Sequence, residues 1–300
     1  MAAENREEVR DFLATRRAKI TPEQAGLTVY GTNRRVPGLR REEAALLAGV
    51  SVEYYTRLER GNLAGVSEGI LEALARALQL DDAERDHLFD LARNAGPSRS
   101  RPRASRQAVR PSVQFMLDAI TGAPAFVRNG RMDILAANRL GFALYSQMYD
   151  GAARQTLGVP ARPANHSRFI FLDTRAREFY PDWNLAANNN VALLRTESGR
   201  NPHDKGLADL VGELSTRSAE FASLWARHNV RRHYSGRKHF RHPVVGELEM
   251  VFEALALEED PGLTLTVYPA VPGSPSEESL KLLASWAATE RIGEPVRSGA

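Results

Sequence analysis

The sequence predicts an all-α helix-turn-helix N-terminal domain followed by an α+β C-terminal domain. Three observations predict it. Residues 4–95 carry short helical stripes punctuated by capping signals. Residues 96–112 turn basic and rich in proline and serine. Beyond residue 113, alternating apolar runs are mixed with helical periodicity. The expected boundaries are a helix-turn-helix domain over 1–95, a basic flexible linker over 96–112, a second domain over 113–290 and a C-terminal tail over 291–300.

In the first domain, Val9, Phe12, Leu13 and Arg16 share one face of an opening helix. Thr21-Pro22-Glu23-Gln24 reads as a capping box with proline at the first helical position, so a second short helix is expected there. Residues 41–49 and 52–60 give two further helices. Ile70, Leu71, Leu74, Ala75 and Leu78 mark another, and Asp81 with Glu84 starts the last. The linker GPSRSRPRASRQAVRPS holds Arg99, Arg101, Arg103, Arg106 and Arg110 and no acidic residue. It is either a solvated tether or a segment whose arginines lie along phosphate.

In the second domain, Phe115 to Ile120 is helical by pattern. PAFVRNGRMDILAAN reads as a hairpin turning at Asn129-Gly130, with Asn138 able to cap the helix that follows. Residues 174–198, 204–215 and 217–229 read as helices, with Asp173 at the start of the first and Asp182 in its early turns. Residues 230–242, 247–258 and 263–270 read as strands. Ser274-Pro275-Ser276-Glu277 is a capping box for a final helix through Leu280, Leu283 and Trp286.

Composition narrows the function classes. The 300 residues are 43% hydrophobic and 26% charged, a balance that builds real cores. Net charge is +3, so basic character matters for nucleic acid only where it clusters. Cysteine is absent, which excludes disulfides and thiolate metal sites and fits a reducing compartment. The N-terminus MAAENREEVRDFL lacks the apolar core of a signal peptide, and no run approaches the ~18 apolar residues of a membrane helix. A cytoplasmic protein with no membrane partner is expected.

The most informative stretch is RREEAALLAGVSVEYYTRLERG, residues 40–61. Ala45 is the small residue that lets a second helix cross closely, and Gly49 suits the tight turn. Ser51 is an N-cap, and Tyr55 and Leu58 face inward at helical spacing. Val52, Glu53, Tyr54, Arg57 and Arg60 are left outward or near the N-terminal end, where a recognition helix presents side chains to base edges. Arg34, Arg35, Arg40 and Arg41 on the preceding segment are placed to neutralise phosphate or enter a minor groove. Glu59 reads as an internal partner for an arginine of the first helix. The alternative, an ordinary helical hairpin, does not explain why spacing, cap, turn and polar face agree over this stretch.

The stretch RRVPGLRREEAALLAGVSVEYYTRLERG followed by ILEALARALQLDDAERDHLFDLA resembles the N-terminal domain of xenobiotic-response-element (Cro-like) regulators of actinobacterial type. PAFVRNGRMDILAANRL, RFIFLD, YPDW, LSTRSAEFASLWARH and HPVVGELEM are similar to the MmyB-like ligand-binding domain found behind it. The resemblance covers all but the linker and the two tails. It implies a PAS-like sandwich and a transcription factor that binds a small, fatty-acid-like molecule.

Signals for catalysis are weak. There is no G-x-S-x-G, P-loop, G-x-G-x-x-G or HExxH. Asp173, Glu178 and Asp182 could be called catalytic carboxylates, but the better reading places Asp173 at the start of a helix and Asp182 in its first turns. His239-x-x-His242 is the closest histidine pair, but in a strand i and i+3 point to opposite faces. No catalytic residue, metal site or cofactor is expected. Phe126, Phe169, Phe171, Phe179, Trp183, Phe221, Trp225 and Phe252 are either core or the lining of an apolar cavity. Among them Phe126, Phe171, Trp183, Phe221 and Trp225 are taken as ligand-binding, with Asn138, Arg195 and His228 as polar anchors. The expected partners are a double-stranded DNA operator with inverted-repeat symmetry, an apolar ligand such as a fatty acid or acyl compound, and a second copy of the chain. Two alternatives stay open for the C-terminal domain: a dimerisation or docking platform, or an enzyme.

Overall fold

A computed structural model describes residues 2–27, 36, 38–96, 108–149, 163–231 and 235–289. By internal contacts the chain divides into two units. Unit 1 takes Met1–Arg103, Val191–Asp209 and Ala222–Arg232; unit 2 takes Ala104–Asn190, Leu210–Phe221 and His233–Ala300.

Unit 1 begins with α1 (Ala2–Lys19), α2 (Arg41–Leu47), α3 (Val52–Glu59), α4 (Glu68–Ala77) and α5 (Asp82–Asn94). The stripe Val9, Phe12, Leu13 and Arg16 is buried, as its 3.6-residue spacing dictates. It joins Ala44, Ala45, Tyr55, Leu58, Leu71, Leu74, Leu88 and Leu91 in one buried interior. Asp81 and Glu84 exchange cap bonds at the start of α5: Asp81 Oδ1 accepts from Glu84 N at 2.8 Å and Glu84 Oε2 from Asp81 N at 3.2 Å.

Unit 2 opens with α6 (Pro111–Ala119), β1 (Ala125–Asn129), β2 (Ile134–Ala137), α7 (Arg139–Leu144) and α8 (Ser146–Tyr149). The helices α9 (His166–Leu172), α10 (Ala176–Phe179), α11 (Trp183–Arg200), α12 (Lys205–Arg217) and α13 (Ala219–Trp225) follow; α11, α12 and α13 carry residues of both units. The chain closes with β3 (Ser235–His242), β4 (Gly246–Ala256), β5 (Leu263–Val267) and α14 (Pro275–Thr289). The strands form one five-stranded antiparallel sheet in the order β2-β1-β5-β4-β3. Strand alternation gives it two faces. On one, Ala125, Val127, Leu263 and Leu265 pack with Val113 and Leu117 of α6. The other carries Phe126, Thr266, Phe240 and Phe252. The all-α domain followed by an α+β domain is the architecture the sequence predicts.

Several local expectations need correction. The Thr21 box forms, with Thr21 N donating to Gln24 Oε1 at 2.8 Å, yet residues 22–26 make only a turn. Gly26 at φ +72° leaves the helical region after that turn. The helix expected over 174–198 is broken into α10 and α11, because Pro181 drives Tyr180 to an extended backbone at φ −106°, ψ 101°. Asp173 ends α9 instead of starting a helix. Asp182 precedes α11, and its Oδ1 accepts from Leu185 N at 2.9 Å. The helix expected to reach residue 229 stops at Trp225, and His228 adopts φ +50°. At α14 the predicted box does not close. The Ser274 hydroxyl has no partner, and Glu277 Oε2 accepts from Gly273 N at 2.8 Å instead. Most of the linker lies outside the described residues.

Candidate nucleic-acid interface and ligand-facing residues

The turn between α2 and α3 follows from a glycine and a serine. Gly49 sits at φ +66°; its N–H bonds to Leu46 O at 3.1 Å and the next N–H, of Val50, to Ala45 O at 3.0 Å. This pair of bonds closes α2 and redirects the chain. Ser51 then caps α3, its Oγ accepting from Tyr54 N at 3.1 Å. Gly61 ends α3 at φ +93°, and a Cβ there would stand 2.4 Å from the backbone oxygen of Arg6 on α1. The close approach of α1 therefore also requires glycine.

Tyr55 and Leu58 are fully buried and fix the phase of α3. Ser51, Val52, Glu53, Arg57 and Arg60 are exposed and Tyr54 is half-buried. The guanidinium of Arg57 lies 4.9 Å from the centre of the Tyr54 ring, which restrains two residues of the exposed face together. Val52, Glu53, Thr56, Arg57, Arg60 and Asn62 line a shallow open groove. Beneath it, Glu59 is buried and held by Arg17 at 2.8 Å and Arg41 at 3.0 Å, while Arg17 also donates to Leu39 O at 2.7 Å. Burial pushes the Glu59 carboxyl up, but the hydrogen bonds and charges of Arg17 and Arg41 outweigh it and leave it below the ordinary carboxylate value. Glu59 is thus the internal partner of Arg17 on α1, and Arg41 is partly committed to it. Arg40 stays exposed with Glu42 at 3.6 Å. Arg34 and Arg35 lie outside the described residues.

The residues expected to hold a ligand do not form one cluster. Phe126 is buried on the sheet, with its ring 5.3 Å from His166 and 5.6 Å from both Tyr145 and Tyr268. Phe171 packs elsewhere in unit 2, 5.0 Å from Phe221 and 5.9 Å from Trp183, whose Nε1 donates to Ile170 O at 3.0 Å. Asn138 is no free anchor. Its Oδ1 accepts from Ala125 N and Gly141 N, and its Nδ2 donates to Ile120 O and Ala123 O. The amide is saturated in tying the hairpin to α7.

Arg195, Trp225 and His228 belong to unit 1 and serve its interior. Arg195, 2% exposed, lies 3.6 Å over the Trp225 ring and pairs with Glu8 of α1. His228 Nδ1 stands 3.3 Å and His87 Nε2 3.6 Å from the same carboxylate. Burial raises the Glu8 carboxyl, but hydrogen bonds from His228 and His87 and the charge of Arg195 hold it well below the usual range. These polar groups are engaged by each other. A lone arginine and histidine in sequence read as anchors only because their partner, Glu8, is 187 residues away from Arg195.

Sequence reasoning also missed residues. Tyr145, His166, Tyr180, Phe240 and Tyr268 converge with Phe126 and Phe179; ring centres of Tyr145 and His166 are 4.7 Å apart, and of Phe179 and Phe240 5.3 Å. Alternation along the expected strands 230–242 and 263–270 could have found Phe240 and Tyr268. Nothing in the sequence singled out His166. His239 is exposed and pairs with Glu247, whereas His242 is buried with Nε2 3.1 Å from Ala143 O. Among the described residues no group of three or more His, Asp or Glu could hold a metal ion, and no helix is long and apolar enough to cross a membrane.

Comparison with known families decides the assignment. The ligand binding domain of MmyB-like transcription regulators matches residues 109–283, and a helix-turn-helix domain matches residues 8–88. The chain belongs to the MmyB-like transcription regulators. Within that family it is a DNA-binding regulator with a ligand-binding domain behind its reader. No curated protein matches the chain.

Proposed function

We propose that this MmyB-like regulator reads its operator with α3 and changes its grip on DNA when an apolar ligand enters the C-terminal domain. Val52, Glu53, Tyr54 and Arg57 face base edges, with Ser51 and Arg60 at the ends of the reading helix. Arg40 and Arg41, with Arg34 and Arg35 just before them in sequence, neutralise phosphate. The observation that supports this reading is the exposed polar face of α3 standing directly above the buried Tyr55 and Leu58. The protein acts in the cytoplasm as a homodimer on an inverted repeat, its half-sites about one helical turn apart. It performs no catalysis.

The ligand reading draws on the aromatic face of unit 2, where an apolar body could lie against Phe126 and its neighbours. Regulation then requires that the ligand bind the two states of the protein unequally. Selection of operator fragments, followed by titration with medium- and long-chain acyl compounds, tests both halves. The reading predicts a footprint of two half-sites and an operator affinity shifted about 5–150-fold by ligand. A single asymmetric half-site bound by a monomer counts against the dimer, and an unshifted affinity counts against the sensor. A second reading, a dimerisation platform, draws on the exposed Phe115 and Met116 of α6.

A further inference from the structure

Glu8 of α1 is held by three groups. Arg195 of α11 pairs with it, His228 Nδ1 stands 3.3 Å away and His87 Nε2 of α5 3.6 Å. Arg195 and His228 lie in the stretch matched by the ligand binding domain, yet both belong to unit 1. Their neighbours are built into that unit as well. Arg16 of α1 donates to the His228 backbone oxygen, Lys19 Nζ to Asn229 Oδ1 at 2.9 Å, and Asn94 Nδ2 of α5 to Gly199 O at 2.8 Å. Val230 is buried in the same interior as Phe12 and Leu58. Gly199 comes so close that a Cβ there would stand 2.4 Å from the His87 ring. The helices of the helix-turn-helix domain are therefore closed by residues of α11 and of the segment after α13.

This closure grips α1, and α1 in turn grips the reading helix. Arg17 of α1 holds Glu59 of α3 at 2.8 Å, and the backbone of Arg6 leaves room for no side chain at Gly61, where α3 ends. Glu8 lies between Arg6 and Arg17 on the same helix. At the other side of the cluster, α11 is one unbroken helix with Trp183–Asn190 in unit 2 and Val191–Arg200 in unit 1. A packed helix shifts as a piece, by about 1–2 Å, between discrete arrangements. A shift that parts Arg195 from Glu8 strands a carboxylate without its cation, so the cluster is either made or broken.

We propose that the Glu8 cluster is a regulatory latch. Made, it fixes α1 and through it the phase of α3; broken by a shift of α11, it releases both and loosens the hold on the operator. This rests on the reading that α3 contacts DNA. The test uses the full-length protein and an operator obtained by fragment selection, at a temperature where melting curves show each variant folded. Glu8→Gln removes the charge at the centre of the latch. Gly199→Ala keeps every charge and wedges α11 away from His87. Arg57→Ala is the control for the reading helix. Operator affinity, base preference and hydrogen exchange are measured on each. Both latch variants should lose about tenfold or more in operator affinity with base preference unchanged, and the amides of α1 and α3 should exchange faster. Coupling is reciprocal, so operator should slow exchange at the end of α11 in the wild type. A cluster that only supports the fold would lower the melting temperature and leave the affinity of the folded protein unchanged. Wild-type affinity in either folded latch variant, while Arg57→Ala weakens binding, overturns the latch and leaves α3 as the reader. If Glu8→Gln does not fold, Gly199→Ala decides alone. If Arg57→Ala also binds as the wild type does, α3 is not the reader and the latch falls with it.

Discussion

The two units bury different chemistry. Unit 1 encloses Arg16, Arg195, Glu59 and His87, each within an ion-pair or histidine–carboxylate cluster. Unit 2 encloses rings, among them Phe126, Tyr145, Phe179 and Phe240. A buried charge tolerates only its own partner, so the ionic interior admits few alternative packings. Rings in edge-to-face contact are held by area and shape, and neighbouring packings lie closer in energy. The unit that carries the helix-turn-helix domain has the first kind of interior; the unit that carries most of the matched ligand-binding domain has the second.

The largest expected effect tests the ionic interior. Arg195→Leu leaves the half-buried Glu8 carboxylate without its cation, and should lower unfolding free energy by about 3 kcal/mol. Adding Glu8→Leu should recover much of that loss. Urea unfolding of the two variants decides it: if the double variant is no more stable than the single one, Glu8 and Arg195 are not coupled and the contrast between the units weakens.

On the reading helix the effect falls on binding instead of folding. Arg57→Ala should weaken operator binding by about 1–3 kcal/mol and relax preference at one base position. Its side chain is exposed, so stability should stay unchanged. A folded variant with wild-type affinity and preference would remove Arg57 from the set of base readers.

The difference between the units also explains what could be read in advance. The α2–turn–α3 stretch was legible because cap, turn glycine, buried pair and exposed face all lie within residues 40–61 and obey local rules. Its ion pairs were half legible: Glu59 announced itself as a charge on an inward phase, but Glu8 did not point to Arg195. The aromatic site was the least legible. Phe126, His166 and Phe240 come from three separate elements and Tyr268 directly follows β5, and the strand order β1-β5-β4-β3 brings three of them to one face. Asn138 shows the opposite error. Its capping role was read correctly, and that role exhausts the amide that was also assigned to a ligand.

Unit 2 should reveal itself in pH dependence. The folded protein keeps His166 neutral down to about 3, whereas the unfolded chain protonates it near the usual ~6.5. Between these values the unfolded state binds the extra proton, so the contribution is complete above about 6.5 and is lost as pH falls. The slope is about 1.4 kcal/mol per pH unit for one histidine. His87 and His242 are also lowered, chiefly by burial, and act in the same direction. His166→Phe should therefore flatten the fall in stability between pH 6.5 and 5.5 by about 1 kcal/mol without abolishing it. Superimposable pH profiles for variant and wild type would mean that the folded protein accepts a proton at His166.

The smallest effect separates two adjacent arginines. Arg40 is exposed, with Glu42 3.6 Å from its guanidinium and Glu43 accepting from its backbone N–H. Arg41 shares Glu59 with Arg17, so part of its charge is already balanced within the fold. Phosphate contacts release counterions, and each full contact contributes about 0.9 to the slope of log affinity against log salt. Arg40→Gln should reduce that slope by about 0.9, roughly a 3–4-fold affinity loss relative to wild type at 50 mM against 200 mM salt. Arg41→Gln should reduce it by less, because the wild-type guanidinium must divide itself between Glu59 and the phosphate. Neither variant should alter base preference, since phosphate carries no sequence information. Salt titrations on the selected operator decide between them. Equal reductions would show that Arg41 leaves Glu59 to Arg17 when DNA binds, and an unchanged slope for Arg40→Gln would remove that residue from the phosphate contacts.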